Sequence, residues 1–144
     1  MDKQAAAQRR AAEQRADALV VEIEAAPDDI AKRLELANLL VELDRREDAM
    51  PHFEYIHESA DPGDADNAEA LLTANFFLGN YEQALAALQA LAEENPDDPM
   101  IYARMARCWH EMGQYGPALE NYERALELDP ENPVALQGLS ELND

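Results

Sequence analysis

Cysteine is nearly missing from this chain of 144 residues. Cys108 stands alone, so no internal disulfide can form, and such usage fits a reducing compartment. A reactive thiol would want a base beside it. His110 is only two residues on and therefore on another helix face, so Cys108 reads as a small buried hydrophobe. Histidine occurs three times. His52 and His57 are five apart and His110 is remote, so no pair has the i, i+4 spacing of a helical metal site. No metal and no cofactor are expected. With only Ser59 and Ser140 as serines, there is no Ser-His-acid set, and the five glycines are scattered rather than gathered into a phosphate loop. Paired carboxylates such as Glu93-Glu94 and Asp97-Asp98 read as solvated helix ends and N-caps. The expectation is a protein that is not an enzyme. No run approaches the roughly eighteen apolar residues of a membrane span, and the first nineteen residues lack the apolar stretch of a targeting peptide. The expected location is cytoplasmic.

Positive charge is scarce too. Eleven bases, of which only Lys3 and Lys32 are lysines, face 31 acids, for a net charge of −20 and a pI near 4.2. Binding to phosphate needs clustered Lys and Arg, so nucleic acid and anionic membrane surfaces are excluded as partners, and basic patches on another protein are favoured. The charge is uneven: −1 over residues 1–26, −14 over 27–98 and −5 over 99–144. Acid-rich, lysine-poor surfaces also occur in salt-adapted proteins, but an ordinary acidic chain is the simpler reading.

What is present is helix-forming. With 47% hydrophobic and 29% charged residues, the composition is globular, and the length suits one domain. Residues 3–26 are rich in Gln, Ala, Arg and Glu and predict one long helix ended by Pro27. Its apolar stripe, Ala12, Ala16, Leu19, Val20 and Ile23, is strongest in the second half. The first half carries Lys3, Arg9, Arg10 and Arg15 where the macrodipole disfavours cations, so fraying is expected there. Pro27-Asp28-Asp29 then recurs as Pro96-Asp97-Asp98, sixty-nine residues later, which is one period of 34 and one of 35. The resulting division is a helix over 1–27, three repeats at about 28–63, 64–98 and 99–130, and a short closing helix over 131–144. Asn132-Pro133 starts that last helix as Asp98-Pro99 starts the third repeat, each an N-cap followed by Pro at the first helical position.

Within 99–130, Tyr102, Met105, Ala106 and Trp109 fall at i, i+3, i+4, i+7, and Ala118, Leu119, Tyr122, Ala125 and Leu126 repeat that pattern after a turn at Gly113. These residues, with Tyr115 and Pro130, resemble the signature of a tetratricopeptide repeat, a helix-turn-helix unit of 34 residues. Leu36, Ala37, Leu40, Ala49, Phe53 and Ile56 occupy the same slots in the first repeat, but Asp44 replaces the turn glycine and Arg46 the turn tyrosine, so the glycine cap is missing. In the second repeat Leu71, Leu72, Gly79, Tyr81, Ala84 and Leu88 match, with Leu72 in a small-residue slot and Asn75 in an aromatic one. The resemblance implies an all-α, right-handed α-solenoid of antiparallel helix pairs.

It also implies a function. First helices of such repeats line a concave groove that takes a peptide or a helix of a partner protein. Carried over slot by slot, the groove residues are Leu34, Asn38 and Val41, then Thr73, Phe76 and Phe77, then Arg104, Arg107 and His110, with Glu35, Glu69, Ala70 and Ala103 alongside. Phe76 and Phe77 are adjacent, so either one is an exposed anchor or both pack across the helix pair. Arg104 and Arg107 share a face at i, i+3 and either neutralise neighbours such as Glu111 or grip a partner's carboxylate. Asn38 and Arg104 match two positions of the clamp with which some relatives hold chaperone C-termini, but Leu34 and Met100 replace its lysines and Ala70 an asparagine, so that clamp is not expected. A non-catalytic interaction scaffold is the leading reading. The alternatives are a homo-oligomer built through the N-terminal helix or by end-to-end stacking, and a regulatory or chaperone-like domain of a larger complex.

Overall fold

In the computed structural model, which describes residues 2–144, the chain folds into α1 (Lys3–Ala25), α2 (Ile30–Glu42), α3 (Arg46–Ser59), a single 3-10 turn (Ala65–Asn67), α4 (Ala68–Phe77), α5 (Tyr81–Glu94), α6 (Pro99–Glu111), α7 (Tyr115–Leu128) and α8 (Pro133–Leu142). Among the described residues there is no strand. The helix starts are written in short polar side chains. Asp29, Asp98 and Asn132 accept from the backbone N–H groups of Lys32, Met100 and Ala135 at 3.0 Å each, satisfying donors that a helix start leaves open. Asp2 does the same for α1, accepting from the Ala5 N–H at 2.6 Å. The fraying expected of this helix is not what the fold shows. α1 is continuous from Lys3, and Arg9 is tied to Glu13 at 3.3 Å and to the Leu43 carbonyl at 3.4 Å.

Turns decide where the helices stop. Gly79 and Gly113 have φ of 82° and 76°, the left-handed region that only glycine enters without a steric cost. After α6, the Gly113 N–H bonds the His110 carbonyl at 2.9 Å and the Gln114 N–H bonds that of Trp109 at 2.9 Å, which closes the helix end. The first repeat corrects the sequence reading at this point. Asp44 takes the same left-handed conformation, φ 61°, and the Asp44→Val41 and Arg45→Leu40 backbone bonds, at 3.0 and 2.7 Å, reproduce the cap without glycine.

The chain divides into two compact units, the first running to Leu78 and the second spanning Gly79–Asp144, so the boundary falls at the turn of the second repeat. In the first unit α1 lies on α2, α2 on α3 and α3 on α4. Its core is built from Ala16, Leu19 and Ile23 of α1 with Leu36, Ala37, Leu40, Phe53 and Ile56. Val20, read from the sequence as part of this stripe, is 45% exposed, because Ala16, Leu19 and Ile23 already define the inward face. In the second unit α5 lies on α6, and α6 and α7 form an antiparallel pair with α8 against both. Ala103, Ala106, Ala118, Ala125 and Ala135 let these helices approach around the fully buried Tyr122. Leu19, Phe53, Leu88 and Tyr122, spaced 34, 35 and 34 residues apart, are each 1% exposed or less and mark one slot four times over.

Candidate functional site

In the first unit α2 and α4 are neighbours, and they carry six of the residues expected to line a groove. Leu34, Val41 and Phe77 are half-buried and packed onto the core, while Asn38 is exposed. The half-buried Thr73 donates from its hydroxyl to Glu69 at 3.4 Å. The Phe76-Phe77 pair divides its work. Phe77 stacks on Phe53 with centroids 4.8 Å apart and 8° between the planes, and the Arg46 guanidinium sits 5.3 Å from its centroid. Phe76 meets Phe77 edge-on at 5.5 Å and stays half-exposed. Two of the flanking positions are taken up within the unit, one by burial and the other, though exposed, by an ion pair. Ala70 is buried, and Glu35 is held by the fork of Arg15, whose Nε and Nη2 donate to its two carboxylate oxygens at 2.7 and 3.0 Å. That bond draws the Glu35 carboxyl below its usual range.

In the second unit Arg104, Arg107 and His110 are all half-buried along α6, whereas Ala103 is fully buried against α7 and α8. Arg107 is already paired within its own unit. It pairs with Glu111 at 3.1 Å and with Glu141 of α8 at 2.6 Å, and the hydrogen bond from Arg107 lowers the Glu141 pKa. The neutralising role foreseen for Glu111 is therefore present, and Glu141 adds to it. Sequence reasoning missed Glu141, yet a signal existed: it lies 34 residues after Arg107, in the same slot of the next period. His110 is also engaged internally. Its Nδ1 is 3.0 Å from the Tyr122 hydroxyl, and its ring stands edge-on to Tyr115 and Tyr122 at 5.7 and 6.0 Å. Burial raises the Tyr122 pKa, so this hydroxyl stays protonated well past neutrality.

Beside this network is a cleft of about 360 Å³, lined by His110, Tyr115, Leu119, Glu141, Leu142 and the last two residues. Asn132, 1% exposed, anchors the start of α8: its amide oxygen caps the helix and its amide nitrogen donates to the Met100 sulfur at 3.2 Å. Burial pushes the Cys108 thiol up to about 11, which keeps it protonated at neutral pH. Among the described residues no group of three His, Cys, Asp or Glu is placed to hold a metal ion, and no helix is long and apolar enough to cross a membrane.

Antiparallel helix pairs with recurring packing slots, and with first-helix faces only partly covered, define a helical-repeat interaction scaffold. Tetratricopeptide repeat families match residues 65–108 and 99–132, and this stretch of the chain is built of tetratricopeptide repeats. It is 36% identical over 62 residues to the phagocyte signaling-impaired protein of Drosophila pseudoobscura pseudoobscura, covering 43% of this chain and 6% of that one. It is 30% identical over 82 residues to superkiller complex protein 3 of Mus musculus, covering 57% of this chain and 5% of that protein. The chain thus spans a small fraction of the length of these curated relatives. Among solved structures, MamA of Desulfovibrio magneticus RS-1, from residue 41 to its end, has a similar fold: TM-score 0.65 at 20% identity, over 97% of this chain and 78% of that one.

Proposed function

We propose that this chain is a non-catalytic scaffold that binds a peptide or helical segment of a partner protein on its first-helix faces, with the α2–α4 face of the first unit as the main contact. The observation that carries this reading is the half-exposed Phe76, held edge-on by a Phe77 that is itself fixed on Phe53. An aromatic ring pre-set by its neighbours loses little freedom on binding, and such rings are frequent anchors. Leu34 and Val41 extend the apolar strip, and the exposed Asn38 offers both a donor and an acceptor to an extended backbone. Glu42 and Glu69 are exposed on the same two helices, and with eighteen acids against eight bases the first unit favours a segment that carries basic residues beside its apolar anchor.

Arg104 and Arg107 take a secondary part. A partner carboxylate reaches Arg107 only by displacing Glu141. Affinity capture from native lysate with the full chain, repeated with Phe76→Ala and Asn38→Ala, tests the reading. Phe76→Ala should weaken binding of the captured protein by more than about 1 kcal/mol with helicity unchanged, and binding should fall as salt rises. Equal binding by wild type and both variants would place the partner elsewhere.

A further inference from the structure

One arginine ties three parts of the first unit together. Arg33 of α2 donates from Nε to the Pro27 carbonyl at 2.6 Å, which fixes the turn leading from α1 into α2. Its guanidinium lies 3.7 Å from the ring centroid of Tyr55 on α3, and its Nη1 is 3.4 Å from Nδ1 of His52 on the same helix. All three side chains are half-buried. A guanidinium has only donors and keeps its charge, so Nδ1 of His52 is the accepting nitrogen and the ring is neutral, with its proton on Nε2. The second unit makes the same connection without a histidine. Sixty-nine residues on, Pro27, Arg33, His52 and Tyr55 become Pro96, Tyr102, Asn121 and Arg124. The Tyr102 hydroxyl donates to the Pro96 carbonyl at 2.8 Å, and Arg124 lies 5.5 Å from the Tyr102 ring centroid. Asn121, in the histidine's slot, donates to the Pro117 carbonyl of its own helix at 2.8 Å and takes up no proton near neutrality. Both turns are thus held from one slot, and only in the first unit does the hold lean on an imidazole.

We propose that Arg33 and His52 form an acid-sensitive latch on the α1–α2 turn. A proton on Nδ1 turns the acceptor into a donor and sets one cation against another. The guanidinium then leaves His52, and the Pro27 carbonyl and the Tyr55 ring lose their hold on it. α1 stays packed through Ala16, Leu19 and Ile23, so acid loosens the turn and leaves the helix in place. The neighbouring charges offer the protonated ring little relief, because most are already engaged. On α3, Asp48, one helical turn before His52, pairs with Arg45 at 3.0 Å, while Glu54, His57 and Glu58 are exposed. On α2, Lys32 adds a further positive charge, Glu35 is held by Arg15 and Glu42 is exposed. Glu69, the one titratable group of α4, accepts from Thr73. In the turn itself Asp29 caps α2 through the Lys32 N–H, and Asp28 is exposed. Burial first, and Arg33 second, place the His52 pKa below its ordinary value of 6.5. The contribution of the latch is therefore complete above 6.5 and is lost as pH falls through the lowered folded value.

Nuclear magnetic resonance of the full chain, titrated from about pH 8 to about pH 4, tests this. The His52 ring should titrate below 6.5, and the Arg33 Nε–H and the backbone amides of Ala26, Asp28 and Asp29 should shift with the same midpoint. The amides of Asn95, Asp97 and Asp98, at the equivalent turn of the second unit, should show no step there. Arg33→Gln removes the charge but not the burial, so the His52 midpoint should move upward. His52→Gln keeps an accepting oxygen at every pH and should abolish the step at the α1–α2 turn, while the titration of carboxylates remains common to variant and wild type. Circular dichroism at neutral pH checks that both variants keep their helices. The latch is excluded by a His52 midpoint at or above 6.5, or by turn amides that respond alike in wild type and His52→Gln. An unmoved midpoint in a folded Arg33→Gln, or the same step at residues 95–98, would overturn it as well.

Discussion

Asp44 shows how far single residues can be read. Its absence of glycine suggested an uncapped turn, but the turn geometry is set by the backbone bonds to Leu40 and Val41, and Asp accepts the left-handed region better than most residues. Asp44→Gly should therefore raise stability by about 0.5–1 kcal/mol in urea denaturation, while Gly113→Ala should lower it by about 1–2 kcal/mol. Cys108 makes the opposite lesson, since its burial followed from its slot alone. Its folded-state pKa is raised, so its contribution to stability is complete below the ordinary thiol range and is lost as pH rises toward about 11. A thiol reagent should leave Cys108 unmodified in the native protein at neutral pH and modify it fully once the chain is unfolded.

At the scale of elements, α8 is held unlike the other helices. It fully buries only Ala135 and Gly138, packs the partly buried Val134, Leu139 and Leu142 against the same core, and adds the Asn132 cap and the ion pair of Glu141 with Arg107. A Cβ on Gly138 would overlap the ring of Tyr122, which is fully buried and cannot swing away. Gly138→Ala gains helix propensity yet should lose about 1–3 kcal/mol through overpacking, read as a lower urea midpoint. Glu141 has a lowered pKa because Arg107 hydrogen-bonds its carboxylate. The sign follows: the ion pair's part of the hold on α8 is complete above the ordinary carboxylate range and is lost as pH falls through the lowered value. Hydrogen exchange across 133–142 should accelerate on acidification, and Glu141→Gln should be fast-exchanging there already at neutral pH. α1 tells a similar story. Pro27 and an apolar stripe through Leu19 were visible as sequence, but Leu19-Val20-Val21 is a continuous apolar run, and only packing shows that its last two residues face outward.

Over the whole molecule, acidity is shared evenly. The first unit carries eighteen acids and eight bases and the second thirteen and three, so each contributes −10. Ion pairs such as Arg45–Asp48 and Arg124–Glu127 are exposed and contribute little, so long-range repulsion among carboxylates outweighs them. Moderate salt should raise the melting temperature. A fall would mean that ion pairs such as Arg15–Glu35 dominate.

Periodicity alone determined the helices, their order and the slots of Leu36, Phe53, Ala106, Ala118 and Tyr122, because a packing position repeated every 34 or 35 residues must face the same neighbour each time. The expected binding residues were legible only as a face of each first helix. Which of them stay accessible was decided by side chains distant in sequence: Phe53 claims Phe77, Arg15 claims Glu35, Glu141 claims Arg107 and Tyr122 engages His110. Local spacing sets the direction of a side chain relative to its own helix, whereas its partners come from elements brought beside it by folding, and those contacts determine whether it remains open to a partner.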